Sequence, residues 1–150
     1  MAGMEGLGRV FDIVWTPLAN AVSLKNCSGA TIIAKASGAS SIVLQAQQTF
    51  TGTPLNWSTA NGFGQAAHWY QNTSNIGTAG WTKQTASWST ATLTLAATTG
   101  YVSVVEIYAD QLAAGYEYLY LETATNCTPI LLLHDLTVQR GPANLAILGA

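Results

Sequence analysis

The chain has 150 residues, of which 49% are hydrophobic and only 8% are charged, and its formal net charge is −2. This length is typical of a single domain, and the absence of a basic patch argues against nucleic-acid recognition through phosphate neutralisation. No apolar segment reaches the roughly 18 residues that a membrane-spanning helix needs. Because ordinary soluble domains carry about 25% charged residues, this deficit favours a surface that is covered in an assembly. The alternative is an ordinary neutral β-protein.

The first nine residues are rich in glycine and have no periodicity. They predict an N-terminal arm, and Arg9 at its end is a candidate interface residue. The same segment has no basic start followed by an apolar stretch, so we expect no secretory signal and synthesis in a cytoplasm.

The next stretches alternate between apolar and polar residues, as strands do. Residues 10–15 predict a first strand and residues 19–24 a short extended piece. Residues 30–36 and 41–50 predict two further strands, and the Ser-Gly-Ala-Ser sequence at 37–40 predicts a hairpin loop between them. In the second of these strands, Ile42, Leu44 and Ala46 are expected to face the core.

Residues 51–90 contain a turn signal about every ten residues, a spacing typical of sandwiches and barrels. Four of the five tryptophans fall here: Trp57, Trp69, Trp81 and Trp88. One interpretation is that they fill the core or anchor a subunit interface. The other is that exposed rings stack on sugars. His68, in the same region, is expected to be a core or interface histidine.

The clearest pattern runs from residue 102 to residue 123. It predicts two strands in a hairpin-like pair, with Ser103, Val105 and Ile107 on one face of the first strand and Leu119 and Leu121 on one face of the second. Between them, residues 110–115 predict a single helical turn that ends at a glycine with positive φ.

Residues 129–133 form a continuous apolar run, which predicts a strand buried on both faces. We find no amphipathic helix of useful length. The predicted fold class is therefore all-β, an antiparallel, jelly-roll-like β-sandwich at residues 10–136, with an N-terminal arm at 1–9 and a C-terminal arm at 137–150.

Residues that carry chemistry are few. With two histidines and seven acidic residues, the sequence contains no hydrolase, metalloprotease or phosphate-binding motif. His134 and Asp135 are adjacent, so as neighbours on a strand they are expected to point to opposite faces and not to act as a pair. The sequence predicts no enzyme, no metal and no cofactor.

Cys27 and Cys127 each follow an asparagine in a similar setting. A single pair of cysteines does not make a disulfide framework, and we expect two buried free thiols, with a late disulfide as the alternative.

Glu106 lies in the middle of an apolar strand, where a buried carboxylate needs a partner. Arg140, one of only two arginines, is the candidate partner in a structural pair. The alternative is that the face carrying Glu106 is solvated.

Three stretches together resemble a family of small structural proteins of tailed bacteriophages, encoded beside the major capsid protein. The first is residues 41–48 with Gly52 and 55–57; the second is residues 91–95 with 105–112 and 115–116. The third is residues 131–136 with 140–142. The family often carries more charge in its middle strands than this chain does.

The resemblance implies a capsid decoration (cement) or minor head protein on the virion surface. Its implied partners are the major capsid protein and further copies of itself, expected as a homotrimer, with no nucleic acid and no membrane. We expect both arms to contact neighbouring subunits. The alternative function is a carbohydrate-binding or host-attachment β-module displayed on the virion. The candidate interface residues are Arg9, Trp57, Trp69, Trp81, Tyr118, Tyr120, Glu122 and Arg140.

Overall fold

The computed structural model describes residues 11–15, 17–73, 79–95 and 98–136. For Phe11 and Asp12 it describes the backbone only. Within these ranges the chain forms ten strands and two short 3₁₀ turns, which confirms the all-β class. The strands are β1 (Phe11–Val14), β2 (Ala21–Ser23), β3 (Gly29–Gln47), β4 (Leu55–Asn56), β5 (His68–Asn72), β6 (Trp81–Thr85), β7 (Ser87–Ser89), β8 (Thr92–Thr94), β9 (Val102–Tyr108) and β10 (Tyr118–His134). The predicted arms lie outside the described residues.

Two long antiparallel strands organise the sheet. β3 has 19 residues and β10 has 17, and they pair along nearly their whole length. Along one half, residues 29–36 of β3 continue the sheet in the order β1, β10, β3, β9, β5, β6. Along the other half, residues 41–47 of β3 pair with β8 and β4, and the start of β10 pairs with β2.

The predicted hairpin loop at residues 37–40 is wrong, because β3 runs through it without a break. Backbone hydrogen bonds hold both ends of this stretch: the Ala36 N–H donates to the Tyr101 carbonyl at 2.8 Å, and the Leu95 N–H donates to the Ser40 carbonyl at 2.8 Å. The pairing with β10 is irregular here, because β3 has residues 37–40 between the pairs Ala36–Cys127 and Ser41–Thr125, where β10 has only Asn126. Small residues that resemble a turn in sequence are here the middle of a central strand.

The predicted hairpin between residues 102–108 and 118–123 is also wrong. β9 pairs with β3 and β5, while β10 pairs with β3 on its other edge, so β3 separates the two strands. The corner between them is confirmed only in part. A single 3₁₀ turn is present, but it spans Ala109–Gln111 and follows Tyr108, and Gly115, with the predicted positive φ of 85°, lies beyond its end.

One core joins the two halves of the sheet. Its members include Ile32, Val105 and Leu131 from the first half and Leu44, Leu93 and Leu121 from the second, all of them fully buried. The predicted core residues of 42–46 are confirmed as buried, and the predicted alternation is confirmed at 103–107 and 119–121, where the residues assigned to one face are the buried ones. The antiparallel pairing is also confirmed, whereas the jelly-roll sandwich arrangement stays a prediction.

The run at residues 129–133 is not buried on both faces. Leu131 and Leu133 are fully buried, but Ile130 and Leu132 are only half-buried. The continuous apolar sequence therefore has two faces: Leu131 and Leu133 point into the core, and Ile130 and Leu132 form an apolar face on the outside of the sheet.

Candidate contact surfaces

The outer face is defined here as the side of β1, β10, β3, β9, β5 and β6 that lies opposite the core. Because side chains alternate along a strand, the residues between the buried ones point to this side. At its centre, Ile130, Ile33, Val104 and Tyr70 are register partners on four neighbouring strands. We call these four residues the apolar row. The first three are half-buried and Tyr70 is 40% exposed.

Two further rows extend the outer face. On one side of the apolar row, Ile13, Leu132, Thr31 and Glu106 are in register across four strands. On the other side, Lys35, Val102, Asn72 and Trp81 are in register. The charged side chains in register on this face are Lys35, Glu106 and Lys83, the last of which is the partner of Tyr70 on β6, so the face is apolar at its centre and carries isolated charges of both signs around it.

The opposite half of the sheet has a different exterior. On β3, Ser41, Val43 and Gln45 alternate with the buried residues, and Gln45 donates from Nε2 to Asn56 Oδ1 at 2.8 Å. Tyr120 is the register partner of Gln45. This side is mainly polar, so the apolar exterior is a property of one half of the sheet.

The four central tryptophans have different environments. Trp57 and Trp69 are buried, so the prediction that they form an interface is wrong, and neither is placed to stack on a sugar. Trp57 Nε1 donates to the Gly64 carbonyl at 2.7 Å, and its ring stacks on Phe63. Trp88 is half-buried against the core. Trp81 is 54% exposed at the start of β6, as an interface residue requires.

Sequence reasoning missed Trp15. It directly follows β1 and is 72% exposed. Its sequence signal is a bulky aromatic residue at the end of an edge strand, just before Pro17. Trp15 thus follows the first strand of the six-strand order, and Trp81 is the first residue of the last strand.

The remaining predicted interface residues divide into two groups. Tyr118 and Tyr120 are half-buried and Glu122 is exposed, all on the polar half of the sheet. Tyr118 lies 6.5 Å from Phe50 between ring centroids. Arg9 and Arg140 lie outside the described residues, and so does the predicted Glu106–Arg140 pair.

Glu106 is exposed, in agreement with a solvated face. Its Oε2 accepts a hydrogen bond from the Tyr108 hydroxyl at 3.1 Å. This hydrogen bond and the nearby carboxylate charge raise the pKa of Tyr108 above its ordinary value. His68, expected in the core or an interface, is also exposed.

His134 and Asp135 do form a pair, contrary to the prediction. His134 Nδ1 lies 3.0 Å from Asp135 Oδ2. The reason is that β10 ends at His134 and Asp135 has φ 52°, a left-handed conformation that turns its side chain back toward the ring. The strand alternation on which the prediction rested no longer applies there.

The His134 ring also meets Tyr108 edge to face, with centroids 6.4 Å apart. Gly29 is the register partner of both residues and lies between them. A Cβ at Gly29 would stand 2.5 Å from the Ile107 carbonyl oxygen and 3.4 Å from His134 Cε1. The lack of a side chain at Gly29 therefore permits both the strand pairing and the ring contact.

Neither Cys27 nor Cys127 forms a disulfide bond. Cys27 lies in the turn before β3, whereas Cys127 lies inside β10 opposite Ala36, so their similar sequence settings give different positions. Burial raises the pKa of the Cys127 thiol.

A shallow cavity of about 350 Å³ lies at the polar end of the molecule. Its walls are Gln48, Thr49, Gly52, Thr53, Pro54, Leu55 and Tyr116. Polar groups beside one aromatic ring suit this cavity to a small polar ligand.

Within the described ranges, no three His, Cys, Asp or Glu side chains lie close enough together to hold a metal ion. The same residues include no helix long and apolar enough to cross a membrane. Comparison with protein-family models, with curated proteins and with solved structures finds no match for this chain.

Proposed function

We propose that this chain is a structural protein of a tailed-bacteriophage virion, which decorates the capsid and stabilises it by binding across capsomers. The observation that carries the proposal is the pair of exposed indole rings, Trp15 and Trp81, at opposite edges of one rigid sheet. The resemblance described above supplies the identity of the particle.

A decoration protein must hold two neighbouring subunits at once, so it needs two anchors at a fixed separation. Six strands at a spacing of about 4.8 Å place the edges of the sheet roughly 24 Å apart. Tryptophan is the residue most enriched among those that dominate protein–protein binding. The two edges therefore provide anchors of suitable chemistry on a scaffold that keeps them apart.

The low charge is in keeping with the same role. The chain has five basic and seven acidic residues. Contacts of this kind depend on buried area and on many copies acting together more than on long-range attraction. We propose no catalytic step and no cofactor for this protein.

The test uses empty shells of the major capsid protein that this proposal expects in a neighbouring gene. The full-length protein is expected to co-sediment with the shells and to raise their melting temperature. Trp15→Ala and Trp81→Ala should each weaken binding by at least about tenfold, since each removes an aromatic anchor. Phe50→Ala is the matched control, because Phe50 is an exposed aromatic residue on the polar half.

Two results would contradict the proposal. One is the absence of binding to shells by the wild-type protein. The other is a loss of binding that is equal in Phe50→Ala and in the two tryptophan variants. A genome in which no major capsid gene adjoins this one would remove the identification of the particle.

The cavity lined by Tyr116 favours the second candidate function, a carbohydrate-binding or host-attachment module. Its volume of about 350 Å³ is sufficient for a monosaccharide, and its threonine and glutamine side chains offer hydrogen bonds. A glycan array with wild-type protein, Tyr116→Ala and Trp81→Ala separates the two ideas. Glycan binding that depends on Tyr116 supports the cavity as a carbohydrate site, whereas an array without signal leaves capsid decoration as the one remaining candidate.

A further inference from the structure

We infer that the outer face pairs with the outer face of a second copy of this chain, so that the protein forms a two-fold symmetric dimer. The pairing centres on the apolar row, Ile130, Ile33, Val104 and Tyr70. The mass of the protein in solution tests this inference without capsid shells, so its outcome is separate from that of the proposed capsid role, although Trp81 lies in an outer row of this face and is also a proposed capsid anchor.

The extent of the outer face approaches what a stable dimer requires. Six strands span roughly 24 Å, and a strand of seven residues such as β9 spans about 23 Å. The projected area is therefore about 550 Å², against about 800 Å² from each partner in a stable interface. Side chains that stand clear of the sheet, among them Ile13 at 49% and Tyr70 at 40% exposure, make the accessible area larger than the projected one.

Composition indicates what kind of partner fits. The four residues of the apolar row have no charge, and Lys83 on β6 continues that row beyond Tyr70. The rows beside it contribute Lys35 on one side and Glu106 on the other. A face with a few isolated charges of both signs does not select a strongly charged partner. It fits a surface that is flat, apolar and nearly neutral, and a second copy supplies such a surface in every solution of this protein.

The geometry of the apolar row is self-complementary. A two-fold axis parallel to the strands and midway between β3 and β9 places Ile33 of one copy against Val104 of the other. The same axis places Ile130 against Tyr70. Sheets that pack face to face do so at about 10 Å with their strands within about 30° of each other, so the pairs nearest the axis stay in contact. Because one patch contacts itself, the assembly closes as a dimer.

This arrangement differs from the homotrimer that the resemblance implies. A trimer requires two different patches on each copy, and the apolar row cannot serve as both. The mass of the protein in solution therefore distinguishes the two arrangements.

The experiment measures the mass of the full chain by light scattering during size-exclusion chromatography over a range of concentrations. Wild-type protein should run as a dimer. Ile33→Lys should run as a monomer at concentrations at least a hundredfold above the wild-type midpoint, because a lysine in the apolar row would be buried without a partner. Val43→Lys is the matched control: it lies on the same strand, is similarly half-buried and points out from the polar half. It should remain a dimer.

A second measurement tests the placement of the axis and guards against misfolding. Val104→Glu alone should also be monomeric, and mixing it with Ile33→Lys should restore a dimer that contains one copy of each variant, because the new charges face each other across the axis. Native mass spectrometry identifies that species. A wild-type monomer, a wild-type trimer, or an Ile33→Lys variant that folds and still dimerises like Val43→Lys would overturn the inference. So would a mixture that stays monomeric.

Discussion

Trp57 offers the sharpest test of how this fold is stabilised, because its surroundings define the cost of a small change. Its ring is fully buried and stacks on Phe63 with centroids 5.1 Å apart. Its indole Nε1 donates to the Gly64 carbonyl at 2.7 Å. Replacing it with phenylalanine keeps an aromatic ring and removes that donor together with part of the volume.

The magnitude follows from two terms. The lost volume is about 40 Å³, which at about 24 cal/mol per Å³ costs roughly 1 kcal/mol if the site does not collapse. The Gly64 carbonyl loses its donor, which costs about 1–2 kcal/mol. We therefore expect Trp57→Phe to lower the free energy of unfolding by about 2–3 kcal/mol. With a slope of about 2 kcal/mol per molar urea, the midpoint should fall by about 1–1.5 M.

The assay is urea denaturation followed by far-ultraviolet circular dichroism, with Trp81→Phe as the matched control. Trp81 is 54% exposed, so its midpoint should change by less than about 0.3 M. Equal shifts in the two variants, or a Trp57→Phe shift below about 0.3 M, would refute the assignment of Trp57 to a tightly packed core.

Three further predictions concern the sheet and its edges. Gly29→Ala should destabilise the protein by about 2 kcal/mol in the same assay, because the new Cβ meets the Ile107 carbonyl oxygen at 2.5 Å. Gly80→Ala is the control and should be nearly neutral, because a Cβ there has no atom within 4 Å. Equal effects of the two substitutions would contradict the close approach of the strands at Gly29. Ser103→Ala should raise stability by about 1 kcal/mol, since the buried Ser103 hydroxyl has no hydrogen-bond partner, and a loss of stability would show that the hydroxyl is bonded. Glu106→Gln should lower the pKa of Tyr108 toward 10.0, because the carboxylate that disfavours the phenolate is gone. An ultraviolet difference titration measures this pKa, and Tyr108→Phe identifies which transition belongs to Tyr108. An unchanged titration in Glu106→Gln would argue against the 3.1 Å hydrogen bond.

Alternation along the chain predicted which side chains point inward. Leu44, Val105 and Leu121 are buried where the period of two places them, because that pattern reflects the strand itself. Pairing between strands was less predictable. β9 and β10 are close in sequence but bind opposite edges of β3, a choice that depends on contacts distant in sequence.

Local composition misled at two places for physical reasons. Residues 37–40 are small and polar like a hairpin loop, yet β3 continues through them, with backbone hydrogen bonds from Ala36 to Tyr101 and from Leu95 to Ser40 at the two ends of the stretch. Asp135 turns back toward His134 because the strand ends one residue earlier. In both cases the neighbouring structure determines the conformation, and the residues themselves do not reveal it.

The candidate surfaces were only partly predictable. Trp57 and Trp81 lie in similar polar, turn-rich sequence, and only the fold separates the buried ring from the exposed one. The outer face could be found only after pairing was known, since Ile130, Ile33, Val104 and Tyr70 become neighbours across four strands. The low charge of the chain led to the interpretation that part of its surface is covered in an assembly. The apolar row is the part of the surface to which that interpretation applies best.

The most direct test of the proposed function is the co-sedimentation of the protein with empty shells of the major capsid protein that the proposal expects in a neighbouring gene, measured for wild type, Trp15→Ala, Trp81→Ala and Phe50→Ala. The proposal predicts saturable binding by wild type, at least about tenfold weaker binding by each tryptophan variant and unchanged binding by Phe50→Ala. Wild-type protein that stays in the supernatant at every shell concentration would contradict it.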